Sequence, residues 1–144
     1  MPSRREAVLE AVLTLLAAAL PGAEVKRNLD KPERIPPGGL VIVRDGDPGE
    51  PDTLLSPLTY VYAHRIPIEV AAFASASLTR EQVIDQMLAA IGMAIEADRT
   101  LGGLCDFIEA EAPVSDDVET AGALSGRWAD MAIIATYGTP NPLT

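Results

Sequence analysis

The stretch TYVYAHRIPIEVAAFASASLTREQVIDQMLAAIGMAIEAD, Thr59–Asp98, holds both kinds of element that set the fold. In its first part Tyr60, Tyr62, His64, Ile66, Ile68, Val70 and Ala72 fall on even positions and alternate with Val61, Arg65 and Glu69, the period of a strand with one packed face. Pro67 lies inside that run. Proline cannot donate to a ladder, so the pattern predicts a strand that is at an edge, bulged or bent there. In the second part Thr79 precedes Gln82 at capping-box spacing, and Ile84, Met87, Leu88, Ile91 and Ile95 form an apolar stripe. This predicts a helix running to about Asp98.

Moving toward the N-terminus, Asp45–Pro51 reads Asp-Gly-Asp-Pro-Gly-Glu-Pro and predicts a loop, preceded by a compact β-branched run at Leu40–Arg44. Asn28–Gly39, with Pro32, Pro36 and Pro37, predicts an irregular connection, and Ala23–Arg27 a short strand. From Ser3 to Leu20 the residues Val8, Leu9, Val12, Leu13, Leu16 and Leu20 recur at helical spacing, and Pro21-Gly22 ends the run. Arg4 and Arg5 followed by Ala11–Leu20 imitate a secretory leader. Glu6 and Glu10 interrupt that pattern, and Ser3 with Glu6 has the spacing of a helix cap.

Toward the C-terminus, Leu101-Gly-Gly-Leu104 breaks the chain, Cys105–Glu111 predicts a strand, Pro113–Asp117 a turn, and Ala129–Tyr137 a last strand. The order helix, strands, helix, strands favours an α+β fold over a repeating βαβ one. A mixed or antiparallel β-sheet packed against two main helices is expected, in a single domain over residues 1–144.

At 144 residues the chain is long enough to bury roughly 70% of its unfolded surface. Its net charge of −10 disfavours gripping a phosphate backbone, which needs clustered Lys and Arg. One cysteine, Cys105, rules out an internal disulfide, and no run reaches the ~20 apolar residues of a membrane span.

A catalytic set is hard to assemble from these residues. His64 is the only histidine, and no Gly-x-Ser-x-Gly frame surrounds Ser56, Ser75 or Ser77. Asp45, Asp47, Glu50 and Asp52 could chelate a hard cation, but the calcium-loop pattern fails at its third acidic position, its glycine and its terminal glutamate. A solvated acidic tip is the reading adopted for them. Glu109, Glu111, Asp116, Asp117 and Glu119 are assigned to solvent, the glycine pairs to turns, and Cys105 to packing, since no basic neighbour in sequence would activate it. Neither a catalytic group nor a cofactor is expected.

Ile35–Pro51, IPPGGLVIVRDGDPGEP, and Leu55–Arg65, LSPLTYVYAHR, resemble the phage tail terminator (minor tail) protein family. The likeness continues through Leu88–Ile91, Ala97–Leu104, Ile108–Pro113 and Thr136–Leu143. It is nearest to members in prophages and gene transfer agents of alphaproteobacteria, some of which carry an acyl-CoA transferase label. The resemblance implies a subunit that forms a hexameric ring, stops tail-tube polymerisation and provides the head-tail joining surface. Its partners would be further copies of itself, the major tail tube protein and the head-tail connector, with DNA passing through unbound and no membrane. Its place would be the head-proximal end of a virion tail, after assembly in the bacterial cytoplasm. Contacts are expected from Asp45–Leu58 and from Gly138–Thr144, with Asp45, Asp47, Glu50, Asp52, Leu55, Tyr137 and Asn141 as interaction residues. A small acyl-transfer enzyme and a generic protein-binding module are the alternatives.

Overall fold

The computed structural model describes residues 1–30, 34–118 and 126–144. Glu119 and Pro32 lie outside the described residues, and the side chains of residues 116–118 are not described. The elements run α1 (Arg4–Ala19), β1 (Glu24–Arg27), β2 (Leu40–Val43), β3 (Asp52–Leu55), β4 (Leu58–Ala72), α2 (Arg80–Ala97), β5 (Phe107–Ala110), β6 (Val114–Val118) and β7 (Gly126–Thr139). They form an α+β fold: a seven-stranded mixed sheet in the order β1-β2-β4-β7-β5, with two helices on one face. Among the described residues only β1 and β2 pair in parallel. Among the described residues no helix is long and apolar enough to cross a membrane.

The alternation in β4 decides which face is buried. Tyr62, His64, Ile66, Ile68, Val70 and Ala72 all point inward, beside Ala129, Met131, Ile133, Ala135 and Tyr137 of β7. Val8, Leu9, Val12 and Leu16 of α1 cover this surface together with Ile84, Met87, Ile91 and Ile95 of α2. A small second cluster of Leu40, Ile42 and Ala71 lies on the opposite face, packed by Leu29, Ile35 and Trp128.

Pro67 occupies a central strand. It is paired with Ala132 of β7, and its imino nitrogen is on the side of β4 that faces β2. There the ladder ends. Val43 opposes Ile68, and the next residue, Arg44, donates its N–H to the Pro67 carbonyl at 2.9 Å. In an antiparallel pair of this kind Pro67 would return a bond to Arg44, and it has no N–H to do so. The chain therefore leaves the sheet at Arg44, and β3 takes up the same side of β4 further along, opposite Leu58–Val61.

Two other boundaries differ from expectation. Residues 113–117 are not a turn: Val114–Val118 pairs with Gly126–Asp130 of β7. The length of β7 explains this, because its outer side would otherwise expose unpaired backbone groups beyond β5. Ala110 opposes Ile133 and Val114 opposes Asp130, so four steps on one side match three on the other. The extra residue is taken up around Pro113, as in a bulge. The N-terminal cap of α1 is half of a capping box: the Ser3 hydroxyl accepts from Glu6 N–H, while the Glu6 carboxylate turns to Arg27. At α2 both halves are present, through Thr79 and Gln82.

Truncating Ile133, which is fully buried, to Ala should cost about 2–5 kcal/mol through lost burial and a cavity. Leu55→Ser, at a side chain that is 82% exposed, should change stability by no more than about 0.5 kcal/mol. Urea midpoints of the two variants check both figures.

Candidate interaction surface

Asp45 ties the chain leaving β2 to the rest of the protein through every polar group it has. Its N–H donates to the Asn28 side chain at 3.0 Å, and its carbonyl accepts from His64 Nε2 at 2.6 Å. Its carboxylate accepts from Arg27 Nε at 2.8 Å. Arg27 also donates to both carboxylate oxygens of Glu6 and, at 2.9 Å, to the Glu10 carboxylate on α1. The Arg27 guanidinium holds the Glu6 and Asp45 carboxyls below their usual range, and these acids raise Arg27 in turn.

His64 completes the anchor from inside the core. A carbonyl can only accept, so Nε2 must carry the proton, and Nδ1 then accepts from the Tyr137 hydroxyl at 2.9 Å. The ring is fully buried, and burial pushes its pKa below the ordinary value. Burial likewise pushes the Tyr137 phenol up to about 12. Both ring nitrogens are thus committed to Tyr137 and Asp45, not to a serine or to Cys105. Cys105 is packed in the core, its thiol pushed up to about 11 by burial.

Beyond this anchor the chain turns outward. Gly46 has φ +66°, and an added Cβ would lie 2.2 Å from the Arg65 carbonyl and 2.8 Å from Pro67 Cδ, so only glycine lets the loop cross β4 this closely. The Asp47 side chain accepts from Gly49 N–H at 2.8 Å, and its backbone forms an isolated antiparallel bridge with that of Arg65. The β3–β4 hairpin follows, turned at Ser56-Pro57, whose peptide bond is cis. All of β3 is exposed. At its tip Leu54 is 56% exposed and Leu55 82%, while Leu58 across the turn is 46% exposed. Three leucines in water on a projecting hairpin mark an interaction surface more readily than scattered single ones.

The residues expected to make contacts therefore fall into three groups. Asp47, Glu50, Asp52 and Leu55 are exposed on the loop and hairpin. Asp45 is half-buried and Tyr137 buried, and both belong to the anchor rather than to the exposed loop. Asn141 sits in the segment after β7, where its N–H donates to Thr139 Oγ1 and Thr139 Oγ1 donates to its carbonyl. That segment reaches α1, because the Arg4 N–H donates to the Thr144 carbonyl at 2.6 Å. Glu111, assigned to solvent, pairs with Arg65 at 2.8 Å. Leu54 and Leu58 were not singled out from the sequence. The signal was present in Leu54-Leu-Ser-Pro-Leu58, where two apolar flanks embrace a two-residue turn.

The fold class is thus a mixed sheet with both helices on one face and an outlying hairpin. Among solved structures the chain is similar to one in the "Virion of native gene transfer agent (GTA) particle", with a TM-score of 0.50 and 14% identity over 92% of this chain and 95% of that one. No protein-family model and no curated protein sequence matches.

The neutral, buried state of His64 sets a pH dependence. With its folded pKa below the unfolded value, its contribution to stability is complete above about pH 6.5. It is lost as pH falls below that, by at most about 1.4 kcal/mol per pH unit, until the folded pKa is reached. The depressed carboxyls of Glu6 and Asp45 act in a separate, lower window, losing their contribution as pH falls below the carboxylate range. Urea midpoints measured from pH 8 to pH 5 should fall for the unaltered protein. In His64→Gln they should start lower at pH 8 and change little over that range.

Proposed function

We propose that this protein is a non-enzymatic structural component of a phage or phage-like particle, and that it caps the tail tube. The observation that carries the reading is the end-to-end likeness of its fold to a chain of a gene transfer agent virion. Because that likeness is one of fold, the residue-level resemblance through Ile35–Arg65 supplies the narrower choice of a tail terminator. The geometry adds support of a different kind. Asp45 and His64 fasten the base of the loop, while Leu54, Leu55 and Leu58 stand in water at its end.

In this reading the protein acts by shape and charge. A cap must join the last layer of a tube and refuse the next, so its two ring faces must differ. A cyclic ring closed by heterologous contacts meets that requirement, since each copy uses two different patches and none is left over within the ring. The hairpin would meet a neighbouring copy, the tube or the head-tail connector. The excess of acidic side chains, net −10, would let DNA pass through the ring without adhering. In the cell the protein would be made in the bacterial cytoplasm and end at the head-proximal end of the tail.

Purified protein should reach about six times its 15.2 kDa monomer mass in light scattering as concentration rises. Deleting Asp47–Asp52, or replacing Leu54 and Leu55 together with Ser, should leave the fold intact and lower both oligomer mass and the yield of particles with tails of normal length. Folded variants that give unaltered mass, yield and tail length would sink the assignment of contacts to this hairpin.

A further inference from the structure

A cleft of about 180 Å³ opens where the start of α1, the loop at Pro48-Gly49, the ends of β4 and β7 and the segment after β7 come together. Most polar groups around it are already used. Ser3 Oγ accepts from Glu6 N–H, Thr139 Oγ1 bonds with Asn141, and the Tyr137 hydroxyl is given to His64. Two side-chain donors of the cleft have no hydrogen-bond or ion-pair partner among the described residues: the Arg5 guanidinium and the Tyr62 hydroxyl. Tyr62 is only 7% exposed, so its hydroxyl meets solvent within this cleft rather than on open surface. Its ring stands 6.0 Å from that of Tyr137, which gives the cleft an aromatic wall.

We propose that this cleft receives a carboxylate side chain from a second copy of the protein, held by the Arg5 guanidinium and the Tyr62 hydroxyl. The chemistry asks for an acceptor, because both unused groups donate and the cleft lies at the positive end of α1. A planar carboxylate matches the fork of a guanidinium and brings one negative charge for one cation. A doubly charged phosphate would exceed the charge that Arg5 supplies. The source follows from charge complementarity. Each copy carries 21 acidic side chains against 11 Lys and Arg, and Arg27, Arg44, Arg65, Arg80 and Arg127 are already paired within the chain. Where copies of such a chain meet, an Arg5 that makes no ion pair of its own converts repulsion into attraction at one point. The choice of a second copy rests on the self-assembling reading above, whereas the carboxylate chemistry does not.

Two measurements on the full chain test this. At a concentration where the protein is dilute and monomeric, sodium glutarate is titrated while the tyrosine ring signals are followed by NMR, for the unaltered protein, Arg5→Gln and Tyr62→Phe. Light scattering then compares the oligomer mass of the same three proteins, with circular dichroism verifying that each is folded. Saturable glutarate shifts at Tyr62, weakened about tenfold or more in each variant, are expected, together with oligomers that need a higher concentration to form. Oligomers weakened in both variants would uphold the proposal even without a resolved glutarate shift. Saturable shifts with unchanged oligomer mass would uphold the carboxylate site and overturn the second copy as its source. A protein that stays monomeric at every concentration but binds glutarate through Arg5 would overturn the ring reading and the second copy as the source, and would uphold the carboxylate site. Absence of saturable shifts with identical masses for all three proteins would overturn the cleft as a binding site.

Discussion

The backbone ladder between Tyr60–Ala72 and Arg127–Thr139 is the constraint on which every other element depends. It joins two long strands distant in sequence and sets the buried face of both at once. Because side chains alternate, a slip of one residue would turn Ile66, Ile68, Ile133 and Ala135 away from the helices. The shorter strands then fill what the ladder leaves open. On the far side of β4, β2 and β3 divide its length; on the far side of β7, β5 and β6 do the same. Both divisions fall at a proline, Pro67 in one case and Pro113 in the other, where a backbone donor is missing.

The gap at Pro67 has a consequence for the surface. Since β2 cannot continue past Arg44, the chain is released toward solvent and returns as the β3–β4 hairpin. A released loop is ordinarily mobile, and here it is tied at its base. Asp45 is bonded to Asn28, Arg27 and His64, and His64 is bonded in turn to Tyr137 of β7. His64 and Tyr137 are buried, and polar groups at such depth stabilise a fold only when they are satisfied and fix one geometry when they are. The hairpin thus projects its leucines from a rigid foundation, which lowers the ordering cost of any contact they make.

Much of this was legible in the sequence because it depends on local period. The alternation from Tyr60 to Ala72 and the apolar stripes of the two helices named the β4 part of the buried face and most of the helical residues that cover it. The capping residues Ser3 and Thr79 marked where the helices begin. What was not legible depends on partners far away in sequence. Pro67 argued for an edge, a bulge or a bend, and only the end of β2 shows why a central strand tolerates it. Pro113–Asp117 carries turn residues, yet the unfilled side of β7 draws it into a strand. At the candidate surface, Asp45 and Asp47 look alike in sequence, and it is Arg27 and His64, from other strands, that make one an anchor and leave the other in solvent. Arg5 and Tyr62 carry no sequence signal for the same reason, since nothing near either of them predicts that they share a cleft.

The central claim is that this chain ends a tube, and tube growth tests it most directly. The purified protein would be added to polymerising major tail protein, and tube ends and lengths would be followed by electron microscopy. The account predicts an added layer at one end of each tube and an arrest of elongation that scales with the amount added. Tubes that lengthen at an unchanged rate, with neither end altered, would contradict it.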